Sequence, residues 1–456
     1  MQAPTHTPPA TLRTLLALAG PIIISRSSQT VIGLSDALLV AHLGAAALAS
    51  TATGALNSFC VLILPMGITF IVSSFASQLF GKGDLAGARR YGWYGLLVAL
   101  GTFVFSLSAL PFIEPALSLL PYGEEVRTLM AGYMRIRMLC AGAAIGTEAL
   151  ANYYGGLGRT WPGMVANVFA MVLNVFGNWV LIDGHLGAPA MGVSGSALAS
   201  TLATTAGFCG FFIYFWSEGK PEASSKLQAA EFGRMLRFGL PSGFNWLFEF
   251  GAFVFFANVV VGGLGTTALA AMNSVFSINS VSFMPAFGLA SAGAILVGQA
   301  IGAGKKDEVP GVVKLAALSA LVWQGSMGLL CVLMPSFLLS YFAKGEGAAE
   351  VATIGARMLM ISAAWQLFDA VGMTVAESLR GAGDTLFPMA TRIALAWLVF
   401  VPGSFISVRY LGWGDIGATV WLVVYLALLA GALFLRFRAG SWRRIELVDH
   451  SAVPAV

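Results

Sequence analysis

The chain has 456 residues, of which 57% are hydrophobic and only 10% charged, against an ordinary charged share of about 25% in soluble domains. That composition excludes a soluble globular protein, and a formal net charge of +4 gives no support to nucleic-acid binding. Four cysteines (Cys60, Cys140, Cys209, Cys331) stand singly in apolar runs and are expected as buried thiols, while His6, His42, His185 and His450 fall in tails or short loops, so no metal centre of ordinary ligand spacing is expected.

Residues 1–11 read as a disordered tail. Twelve apolar runs follow, at about 13–40, 48–80, 91–113, 128–154, 162–182, 191–216, 237–262, 268–301, 311–336, 351–378, 386–409 and 415–436. Each is long enough to span ~30 Å of hydrocarbon as a helix. Their continuity excludes a β-barrel, whose strands alternate. Arg13 ahead of the first run resembles a signal peptide, but the run continues past Pro21 to Val40 without a small-residue cleavage pattern, so an uncleaved helix is expected. Pro65, Pro285 and Pro402 lie inside long spans, where they either kink a helix or mark its end. Gly142 with Gly146, and Gly298 with Gly302, have the spacing that lets helices approach closely.

Loop charges set an orientation. With the N-terminus in the cytoplasm, 18 of the 25 Lys and Arg, Arg392 among them, fall in inside loops and four outside, and Arg26, Arg135 and Arg137 lie within helices. This bias predicts that both termini are cytoplasmic.

The chain also repeats itself. Leu43-Gly44 and Ala47-Leu48-Ala49 match Leu264-Gly265 and Ala268-Leu269-Ala270 at an offset of 221, and Gly67, Gln78 and Gly81 match Gly288, Gln299 and Gly302. Gly156 to Thr160 match Gly381 to Thr385 at an offset of 225. Two six-helix halves are therefore predicted: residues 1–217 and 237–436, joined by a polar cytoplasmic linker at 218–236 and followed by a cytoplasmic tail at 437–456. Because six is even, the halves enter from the same side, and an axis along the membrane normal with a substrate site between them is expected.

Three acids break the apolar runs: Asp36, Glu249 and Asp369. An acidic side chain at a helix centre costs roughly 2.5–3.5 kcal/mol on an insertion scale and is a functional candidate by default. Glu249 lies about twelve residues into its run, too deep to reach the headgroups from a helix end. The three do not superpose in the repeat, since Asp36 faces Ala257 and Glu249 faces Ser28. The scaffold is thus duplicated and the ion chemistry is not.

Asp36 with His42-Leu43-Gly44, Gln78-Leu79-Phe80-Gly81, the stretch Gly184 to Ala199, and the loop Leu379 to Thr385 resemble the multidrug and toxic compound extrusion (MATE) family over about residues 12–436. The resemblance implies an all-α membrane protein of twelve helices in two pseudo-symmetric six-helix bundles forming a V. It implies an antiporter in the cell (inner) membrane that exports cationic or amphipathic drugs in exchange for Na⁺ or H⁺, with no cofactor. Glu249 and Asp369 match acidic positions of the NorM-like branch, and Asp36 matches the N-lobe aspartate, with Asn174 and Asn178 as polar partners. The nearest acid in the fifth span is Asp183 at its outer end, which favours the NorM-like branch. Arg26 departs from the pattern; it either pairs with a membrane acid or snorkels to the inner surface.

Glu249 and Asp369 are expected to share a cation site, a candidate for Na⁺, with Asn245 completing the shell and Asp36 as a separate protonatable, cation-coupling group of the first half. Two carboxylates in a poorly solvated place do not both stay charged without compensation, and Na⁺ or a proton serves equally. Small-molecule drugs and the bilayer are the expected partners, with a monomer as the working unit. The alternative is a lipid-linked oligosaccharide flippase of the wider superfamily, for which a basic cavity is expected instead. A passive channel would conduct without coupling. Enzyme activity is not expected, because Gly302 to Asp307 lacks phosphate-loop spacing and no strand precedes it.

Overall fold

The computed structural model describes residues 10–119, 122–219, 226–342 and 348–448. Residues 1–9 of the expected tail at 1–11, the linker residues 220–225 and the chain end from 449, with His6 and His450, lie outside that description. By its contacts the chain divides into two compact units, Gly20–Gly243 and Phe244–Val456, the latter including the described residues before Gly20. Among the described residues every regular element is helical.

In the first unit α1 (Leu12–Val40), α2 (Ala45–Lys82), α3 (Leu85–Ala109) with the short α4 (Ile113–Ser118), α5 (Glu124–Met138), α6 (Ala141–Gly156), α7 (Trp161–Asp183) and α8 (Gly192–Ser217) follow in order. In the second come α9 (Ala229–Phe255), which starts in the first unit, α10 (Thr266–Gly302), α11 (Val309–Leu333) with α12 (Pro335–Ser340), and α13 (Ala348–Ala382). Then follow α14 (Leu386–Leu395) and α15 (Val401–Arg409), which form one span, and α16 (Gly414–Arg438). Eleven helical stretches among the described residues are long and apolar enough to cross a membrane. The fourth run is the exception: it breaks at Leu139–Cys140 into α5 and α6, and α5 carries Glu124, Glu125, Arg127, Arg135 and Arg137. The seventh helix begins at Ala229, ahead of its apolar run, because Glu231 is held by Arg90 and by the Tyr94 hydroxyl at 2.7 Å.

α2 and α10, of 38 and 37 residues, are the spines of their units. At about 1.5 Å per residue they exceed the hydrocarbon thickness. α2 packs on α3, α5 and α6, and α10 on α11 and α13. Both helices start after a glycine of the same unusual conformation, Gly44 at φ 113° and Gly265 at φ 109°, which a side chain would strain. Pro65 and Pro285 sit inside these helices, while Pro402 follows a π-turn at Ala396–Phe400. At Gly67 a Cβ would lie 2.5 Å from the Gly243 Cα, so two glycines let the start of α9 lie directly on α2. Gly142 and Gly146 serve the same purpose against Phe103 and Phe208. The expectation for the cysteines holds for Cys140 and Cys331 but not for Cys60 and Cys209, which lie on exposed helix faces.

The repeat reappears as a clasp of reversed sign. Arg159, in the loop after α6, donates to Glu218 at 2.8 Å and to the Tyr214 hydroxyl at 2.5 Å. Its counterpart Asp384 accepts from Arg436 Nε at 2.8 Å. In the second unit the chain then folds back after α16: Trp442 and Leu447 are buried, Trp442 stacks on Phe437, Arg443 pairs with Asp307, and Lys306 donates to the Arg443 carbonyl. This C-terminal strap ties together the α10–α11 and α13–α14 loops.

Candidate functional site

In the first unit, Asp36 of α1 is buried among polar side chains of α7 and α8. Asn174 and Asn178 donate to its Oδ1 at 3.0 and 2.6 Å, and Ser200 donates to its Oδ2 at 2.7 Å. Asn174 also donates to the Ser200 hydroxyl at 2.8 Å. Asn167, Asn174 and Asn178 share one face of α7 because their spacing of seven and four residues follows the helical period. Nearer the start of α1, Asn167 donates to Ser25 at 2.9 Å and Gln29 donates to Asn167 at 3.4 Å. The three residues predicted for this position thus meet, and Ser200 joins them unpredicted.

Arg26 pairs with an acid that is not among the candidates named from the sequence. Glu148 of α6, 5% exposed, binds the Arg26 guanidinium through both carboxylate oxygens and accepts from Asn152 at 3.2 Å. The guanidinium also lies over the Phe70 ring. Glu148 stands eight residues before the end of α6 in a small-residue run, a signal equal in kind to that of Asp36. Asp183, at the end of α7, pairs with His42.

In the second unit Glu249 of α9 is ion-paired with Arg392 of α14. The loop assignment of Arg392 is therefore corrected: its guanidinium is nearly buried, and it leaves the count of cytoplasmic loop charges. Asp369 of α13 accepts from Gln324 of α11 at 3.2 Å. Glu249, Arg392, Asp369 and the Tyr425 ring lie within electrostatic range of one another. The expected bare pair of carboxylates is thus two acids and one guanidinium, which leaves one negative charge. Three buried polar oxygens around it have no hydrogen-bond partner: Asn245 Oδ1, one turn before Glu249, Gln324 Oε1 and the Tyr425 hydroxyl. Carboxylate and carbonyl oxygens of this kind are the donors that a hard monovalent cation takes. Among the described residues no group of three or more His, Cys, Asp or Glu is arranged for a metal ion.

Two π-turns flank this cluster, Phe256–Val261 after α9 and Ala396–Phe400 after α14. They pack on each other through Phe256 and Phe400, with ring centroids 4.8 Å apart, and Phe400 stacks on Tyr425 at 5.3 Å. Such turns gather at functional positions, and here they lie seven residues beyond Glu249 and four beyond Arg392.

Comparison with known proteins gives one consistent result. The MatE family model matches residues 21–180 and 241–406. A "Probable multidrug resistance protein NorM" of Rhizobium meliloti (strain 1021) is 30% identical over 99% of this chain and 96% of its own. Proteins of the same description from Pseudomonas putida and Thermotoga maritima are 29% and 25% identical, covering 98% and 99% of this chain and 98% and 97% of their own. Among solved structures, one described as "Crystal structure of MATE in complex with MaL6" matches with a TM-score of 0.87 at 22% identity, covering 95% of this chain and 97% of its own. An outward-facing multidrug resistance MATE family transporter of the MOP superfamily matches with a TM-score of 0.85 at 22% identity, over 95% and 96% of the two chains.

Proposed function

Because the chain belongs to the MATE family, we propose that it is a secondary antiporter that extrudes cationic and amphipathic drugs in exchange for Na⁺ or H⁺. It is a multi-pass membrane protein of a transporter family and not an enzyme. By its loop charges, both termini face the cytoplasm.

The observation that carries the coupling is the unbalanced cluster of the second unit. Glu249 and Asp369 with Arg392 hold one negative charge that a single monovalent cation neutralises, and Asn245, Gln324 and Tyr425 offer unpartnered oxygens around it. A cationic drug compensates the same charge, so ion and drug favour different states of the protein. Entry of one positive charge down 100 mV supplies about 2.3 kcal/mol, which is enough to bias such an equilibrium. Asp36, with Asn174 and Asn178, is a separate acidic position in the first unit.

The test is ethidium transport in proteoliposomes with sodium and proton gradients imposed separately. One gradient should drive ethidium uphill; if neither does, antiport is excluded.

A further inference from the structure

The first unit holds a further buried guanidinium, that of Arg137. Arg137 is the last arginine of α5, and no carboxylate is bonded to it among the described residues. Its Nε is buried without an acceptor, and its one side-chain hydrogen bond is a long contact of 3.9 Å to Cys140 Sγ. A charge removed from water and left unpaired is costly, so its placement calls for a counter-charge within reach.

Helix register identifies that counter-charge. Tyr133, one turn before Arg137 and on the same face of α5, is fully buried in a cluster with Val40, Ile182, Val193 and Ala197. Val40 lies one turn beyond Asp36 on α1, and Ile182 one turn beyond Asn178 on α7. α5 runs opposite to α1 and α7, so stepping one turn inward from Tyr133 reaches Arg137, while stepping inward from Val40 and Ile182 reaches Asp36 and Asn178. A cross-link fixes the same level: Thr201, beside the Ser200 that binds Asp36, donates to the carbonyl of Ile136 at 3.1 Å. Tyr133 and Arg137 both lie in the electrostatic range of Asp36. The titratable or charged groups facing Arg137 are Asp36 on α1, Tyr133 on α5 and Cys140 after it; Glu148, the second deeply buried acid among the described residues of the first unit, is taken by Arg26.

We infer that Arg137 is the built-in counter-charge of Asp36, a positioning residue that supplies the positive charge a bound cation would otherwise bring. With Arg26 set against Glu148 and Arg137 against Asp36, the buried carboxylates of α6 and α1 each face a guanidinium as built, and cation exchange is confined to the Glu249–Asp369–Arg392 cluster. This rests on the antiport reading and narrows it to one exchanging site.

The test counts cations held by the purified full-length protein, as sodium by equilibrium dialysis and as protons by potentiometric titration in sodium-free buffer. Arg137→Gln should hold one more cation than the parent protein, and Asp36→Asn in that background should remove it. Arg137→Lys should restore the parent count, which a merely structural role would not do. Asp36→Asn alone should leave the parent count unchanged, and this arm stands even if Arg137→Gln fails to fold. The inference is overturned if Asp36→Asn alone lowers the count by one, or if Arg137→Gln leaves it unchanged. A parent protein that holds a cation sensitive to Glu249→Gln, with no gain in Arg137→Gln, sinks this inference and spares the antiport reading. A parent protein that holds none sinks both.

Discussion

Taking the guanidinium from Arg392 would strand Glu249 as a partly buried charge with no partner. Breaking such a pair costs about 3–5 kcal/mol, whereas replacing both partners costs far less. Arg392→Gln should therefore lower the melting temperature of the purified protein sharply, and Glu249→Gln with Arg392→Gln should recover most of the loss. Equal loss in the single and double variants would mean that the pair carries no such energy. The same cycle applies to Arg26 and Glu148, whose carboxylate is the more deeply buried. At this scale the sequence was informative where an acid interrupts a long apolar run, as at Asp36, Glu249 and Asp369. The resemblance supplied Asn174 and Asn178 for Asp36; the other partners were not legible, because they come from helices distant in the chain: Glu148 for Arg26, Gln324 for Asp369, Arg392 for Glu249. Arg392 was read as a loop charge because it stands only six residues after the start of its span, where an ion pair and a snorkelling side chain look alike in one dimension.

Helices were legible wherever twenty or so apolar residues run on, which is why most of the expected spans reappear close to their limits, while the third and seventh start six and eight residues early, at Leu85 and Ala229. The break at Leu139–Cys140 was not, since no proline interrupts the run there and only the geometry separates α5 from α6. The π-turns at Phe256–Val261 and Ala396–Phe400 were invisible for a similar reason, as one extra residue per turn leaves the composition unchanged. Gly67→Leu places side-chain atoms where the Gly243 backbone already lies, so it should destabilise the contact of α2 with the start of α9; unchanged thermal stability would show that this contact is dispensable. Ending the chain after Gly440 exposes the sites of Trp442 and Leu447, each worth about 1.5–3 kcal/mol of burial. The shortened protein should melt at a lower temperature, and an unaltered melting curve would mean that the strap contributes nothing to the second unit.

Over the whole molecule, a duplicated scaffold carries unduplicated chemistry. The glycine starts at Gly44 and Gly265, the long helices α2 and α10, and the loop clasps at Arg159 and Asp384 recur in both halves. The acids do not, and the net negative charge of the Glu249–Asp369–Arg392 cluster lies in the second unit. If that charge is what couples ion to drug, its two acids must be indispensable for uphill transport and dispensable for folding. The most direct measurement is ethidium movement against its own gradient in proteoliposomes under the driving cation gradient, with Glu249→Gln and Asp369→Asn reconstituted at equal amounts beside the parent protein. The account predicts that both variants insert and melt as folded proteins yet lose uphill transport; gradient-driven accumulation by the Glu249→Gln protein would contradict it.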